Sequence, residues 1–106
     1  MDIVLIVTSD VIPGKNFEVV GLVRGSVVRA KHIGRDIAAG FKSIAGGEIK
    51  AYTELMYETR NIATERMIAD AREMRADAII CVRYETCSIM GNSSEVMAYG
   101  TAVKFV

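Results

Sequence analysis

The spacing of hydrophobic and polar positions changes along this chain, and each change marks an element. Ile3–Thr8 is a short apolar run that reads as a buried strand. Pro13-Gly14 predicts a turn, because proline pre-sets φ at one central position and glycine accepts φ > 0 at the next. Phe17–Arg24 reads as a second, valine-rich strand. Gly21 and Gly25 interrupt it, which predicts a bulge or bend before Ser26–Lys31 continues extended. The period then becomes helical: Ile33, Ile37, Phe41 and Ile44 form one stripe, and Gly46-Gly47 ends it as a left-handed cap. A second helical pattern runs from about Ile49 to Arg75, with Tyr52, Leu55, Met56, Ile62, Ala63, Met67, Ala71 and Met74 on its apolar side.

Two strands close the chain. Ala78–Ser88 places Ile80, Val82 and Tyr84 on one face and Cys81, Arg83, Glu85 and Cys87 on the other. Gly91-Asn92-Ser93-Ser94 is a turn cluster. Glu95–Val106 alternates large residues (Met97, Tyr99, Thr101, Val103, Phe105) with small ones (Ala98, Gly100, Ala102), a row against which a helix packs closely. The expectation is an α+β fold in the order ββααββ, with a short and a long helix on one face of a mostly antiparallel sheet. The longer helix would be a rod of about 40 Å. A compact domain of this size has a radius of gyration of only about 13 Å, so the rod is expected to overhang its sheet and shelter against another copy.

Size and charge narrow the function classes. The 106 residues suit one domain, 1–106. Thirteen basic residues balance thirteen acidic ones, so the basic excess that neutralises phosphates is missing and no nucleic-acid partner is expected. The local group Arg24, Arg29, Lys31 and Arg35 reads as solvated strand and helix ends. Residues 3–7 are too short and lack the basic flank of a signal peptide, and no run reaches membrane-span length. A cytoplasmic location with reduced thiols at Cys81 and Cys87 follows as an expectation.

Several groups of residues then resemble a known family. Arg35-Asp36 with Ala39, Ile44 and Gly46-Gly47 comes first, followed by Tyr52, Arg60, Ala63, Met67 and Ala71. Ala76-Asp77-Ala78, Tyr84 and Tyr99-Gly100-Thr101-Ala102-Val103 complete the likeness to the YbjQ family, whose members are described as heavy-metal-binding. The resemblance implies a dodecin-like subunit in a ring-shaped homopentamer. Arg75 departs from it, standing where the family usually has a glycine that caps the long helix. With arginine there, the helix is expected to end differently.

The side chains offer candidate sites of two kinds. The soft metal ligands are Cys81, Cys87 and His32, with Met90 and Met97 as thioethers, so a soft divalent metal is the cofactor to consider, although the sequence requires none. Cys81 and Cys87 lie six residues apart, about 20 Å along a straight strand, so one strand cannot bring both to one ion. Buried thiols are the plainer reading. The second kind is a ligand pocket at a subunit junction, built from Arg35, Asp36, Arg60, Asp77, Tyr84, Tyr99 and Thr101. Its plainer alternative is a network of hydrogen bonds and ion pairs at an interface, with Asp77 pinning a turn or pairing with Arg60 or Arg75. The only histidine, His32, has no serine motif around it, so no nucleophile–base pair is expected. The acidic residues of the long helix alternate with basic ones, as on an ordinary solvated face. A non-enzymatic homo-oligomeric binding protein is the reading that results, with a structural or adaptor oligomer as its rival.

Overall fold

The computed structural model describes residue 3 and residues 5–30, 50–89, 91 and 93–106. The expected short helix around Ile33–Ile44, its Gly46-Gly47 cap, His32, Arg35, Asp36, Met90 and the Tyr52 side chain lie outside the described residues. The elements are β1 (Leu5–Ile6), β2 (Phe17–Ala30), α1 (Lys50–Glu73), β3 (Ala78–Ile89) and β4 (Ser93–Phe105). They form one four-stranded sheet in the order β1-β3-β4-β2. The β2/β4 and β3/β4 pairs are antiparallel and β1/β3 is parallel, so the sheet is mixed.

Local chemistry explains the ends of these elements. In the turn before β2, the Lys15 N–H donates to the Ile12 carbonyl at 3.0 Å, and Gly14 takes φ 78°. That is the type II geometry expected from Pro13-Gly14. β1 is shorter than the apolar run suggested and is not buried, Leu5 being 39% exposed. Helix α1 ends in a Schellman motif: the Ala76 N–H donates to the Ala71 carbonyl at 3.1 Å, and the Arg75 N–H to the Arg72 carbonyl at 2.9 Å. Arg75 has φ 58°, so the helix ends as it would with glycine, contrary to expectation, and the arginine absorbs the strain.

The core lies between α1 and one face of the sheet. Thr59, Ala63, Met67 and Ala71 follow one another at four-residue intervals and are fully or almost fully buried. They meet Val23 and Val27 of β2, Ile79 and Val82 of β3, and Val96, Ala98 and Ala102 of β4. The small row of β4 therefore does lie under the helix. Burying a side chain such as Met67 contributes roughly 1.5–3 kcal/mol. The Thr59 hydroxyl is satisfied inside the helix by the Leu55 carbonyl at 2.8 Å.

Two irregularities alter the expected pattern. β2 is a single strand with a bulge between Val19 and Gly21, and it runs straight through Gly25. Gly25 is a seat for the helix rather than a bend. A Cβ there would lie 2.3 Å from both the Ala63 carbonyl oxygen and the Met67 nitrogen. In β3 the register shifts between Ile80 and Arg83, and Cys81 takes φ 56°. The bulge puts Ile80 and Val82 on opposite faces. Val82 packs under the helix, while Ile80 joins Ile12, Ala78 and Val103 in a second cluster.

Helix length alone does not decide the expected overhang. α1 has 24 residues, about 36 Å of rise, but the 14 residues of β2 span about 46 Å. The molecule is elongated, at 55 × 27 × 20 Å with a radius of gyration of 16.9 Å.

Candidate functional site

The residues proposed for one pocket fall on opposite sides of the sheet. Tyr84 pairs with Ala98 and so stands on the helix side. Its hydroxyl lies 2.6 Å from Thr64 Oγ1, and Thr64 donates its own proton to the Arg60 carbonyl at 2.8 Å. Thr64 has one hydroxyl proton to give, so Tyr84 is the donor of the shorter bond. The Arg60 guanidinium sits over the Tyr57 ring, 5.2 Å from its centroid. Arg60 and Tyr84 thus come together around Thr64, which the sequence reading did not single out.

Tyr99 and Thr101 belong to the other face. There Leu22, Arg24, Glu85, Met97 and Tyr99 line a shallow trough of about 380 Å³. The Tyr99 hydroxyl donates to Glu85 Oε1 at 3.3 Å. One end of this face is covered by the chain's own Val7, Ile12 and Phe17. Beyond that cover the face is open, with Val19, Leu22 and Val28 of β2 all 59% exposed or more.

Asp77 does not belong to either group. Its Oδ2 accepts the Phe105 N–H at 2.8 Å, and its own N–H donates to the Val103 carbonyl at 2.8 Å. It pins the end of β4 to the exit of the helix, which is the turn-pinning role considered above. Arg60 lies about 20 Å back along the helix from Glu73, too far to pair with it.

The two cysteines also stay apart, although a bulge does occur at Cys81. Cys81 is half-buried beside Ile80 and Val103 in the covered cluster. Cys87 is exposed near the far end of the strand, opposite Glu95, whose Oε1 lies 3.7 Å from its thiol. Local desolvation, the hydrogen bond to Glu95, and the charges of Glu95 and Glu85 all raise the Cys87 thiol above its ordinary pKa. Surrounding water blunts these effects, but all four keep the proton on sulfur.

A family model described as "Putative heavy-metal-binding" matches residues 4–106. The chain belongs to the YbjQ family. Its relatives include a "UPF0145 protein" of Psychromonas ingrahamii, 57% identical over 92% of this chain and 93% of the relative. Proteins with the same description from Fervidobacterium nodosum and Thermotoga maritima are each 54% identical, over 94% of this chain and 94% or 95% of their own. A crystal structure from Pediococcus pentosaceus, of a protein of unknown function in the DUF74 family, superposes with a TM-score of 0.65. It covers 95% of this chain and 96% of its own at 17% identity, so it shows a shared fold.

Among the described residues, no group of three or more His, Cys, Asp or Glu gathers that could hold a metal ion. Soft metals bind thiolate, and the carboxylates around Cys87 disfavour that form. The described residues of a single YbjQ chain therefore do not fit a heavy-metal ion.

Proposed function

We propose that this chain is a non-enzymatic, homo-oligomeric binding protein that holds a small ligand or a soft metal at its subunit junctions. The family resemblance suggests a ring of five copies. One observation carries the reading: β3 is exposed at every residue from Arg83 to Ser88, beside a trough with a cation, a carboxylate, a phenol and two apolar side chains. Such a surface is half of a binding site, and a neighbouring copy would complete it. A metal would need donors from two copies, since the described residues of one copy gather no such set.

The rival reading is a purely structural or adaptor oligomer that recruits another protein. It draws on the open apolar row Val19, Leu22 and Val28 of β2. Native mass spectrometry with elemental analysis, on protein purified without a metal-affinity tag, separates the two. The binding reading predicts a stoichiometric mass increment or a stoichiometric metal. If a metal is found, Cys87→Ser lowers its content. An oligomer with neither increment nor metal favours the adaptor.

A further inference from the structure

The trough on the open face of the sheet carries a diagonal charge pattern that the strand register sets. Tyr99 of β4 lies between Arg83 of β3 and Arg24 of β2, and Met97 lies between Glu85 of β3 and Ser26 of β2. Glu85 and Arg24 therefore stand at opposite corners, two strand spacings or roughly 10 Å apart across the sheet. Met97 and Tyr99 line the space between them, and Leu22 adds apolar surface beside Arg24. The trough holds about 380 Å³. That is the small end of the range for ligand sites.

Both charges are left available. Arg83 stands two residues from Glu85 on β3, but its guanidinium donates to the Thr8 and Val82 carbonyls at 3.0 and 2.9 Å. Glu85 accepts the Tyr99 hydroxyl on Oε1 at 3.3 Å, which leaves Oε2 open among the described residues. Arg24 spends its backbone N–H on Asp70 Oδ2, while its guanidinium has no partner among the described residues. Two opposite charges thus border one small concavity without cancelling each other.

We infer that the trough binds a short zwitterionic peptide, with its carboxylate on Arg24, its ammonium on Glu85 and its apolar side chains over Met97 and Tyr99. This rests on the binding reading above and names the class of ligand. The fork of a guanidinium matches a carboxylate, whose two oxygens accept two parallel N–H bonds. The open Glu85 oxygen accepts N–H from an ammonium group. Two or three extended residues span about 7–10 Å, enough to bridge the two corners. A single amino acid carries both charges on one Cα and reaches one corner at a time.

The test is methyl NMR on the full chain, following the Leu22 and Met97 methyl groups as leucyl-leucine is added. The dipeptide should shift both signals saturably. Acetylating its amine, or amidating its carboxylate, should weaken binding about tenfold or more. Arg24→Gln should abolish the penalty for amidation and keep that for acetylation, and Glu85→Gln should do the reverse. Both side chains are exposed, so both variants should fold, which circular dichroism checks. Equal affinity for free and blocked dipeptides, or penalties that neither variant changes, overturns the assignment. The lack of a saturable shift at millimolar dipeptide overturns it too. In either case a stoichiometric mass increment in native mass spectrometry leaves the binding reading standing, and its absence removes that reading as well.

Discussion

Arg75 holds the exit of α1 in a left-handed conformation that costs an ordinary residue about 1–2 kcal/mol and glycine almost nothing. Its side chain is exposed, so little packing opposes a change there. Arg75→Gly should therefore stabilise the fold by about 1 kcal/mol, raising the melting temperature by roughly 4–8 °C in calorimetry. A lower melting temperature would mean that the arginine side chain makes a contact worth more than the strain. Asp77, two residues on, acts by position in the same way: its carboxylate holds the Phe105 N–H.

At the scale of elements, the seat of α1 on β2 governs the packing. Backbone atoms of Ala63 and Met67 occupy the space where a side chain at Gly25 would begin. Gly25→Ala must therefore lift the helix, and a loss of about 1–3 kcal/mol is expected from urea unfolding. An unchanged unfolding midpoint would refute this close approach. Much of this level was legible in the residues. The helical spacing of Ala63, Met67 and Ala71 and the small row Ala98 and Ala102 point to the helix–sheet interface, where they lie. The β3 bulge was not legible, because Ile79, Ile80, Cys81 and Val82 are all apolar and hide a slip of register. The candidate site suffered most from what alternation alone cannot fix. Tyr84 pairs with Ala98 and Tyr99 is its next neighbour along β4, so the two tyrosines were bound to face opposite ways once the register was known. Thr64 escaped notice because a threonine inside a helix carries no signal of its own.

Across the whole molecule, the sheet and its open edge matter more for assembly than the helix does. Helix length alone does not require a neighbour. The homo-oligomeric reading proposed above draws instead on a strand end exposed from Arg83 to Ser88 beside an open trough. No described helix is long and apolar enough to cross a membrane. Multi-angle light scattering through a dilution series measures the need for a neighbour directly. A mass several times 11.6 kDa, falling only on strong dilution, is the predicted result. A folded species of 11.6 kDa at every concentration would contradict it.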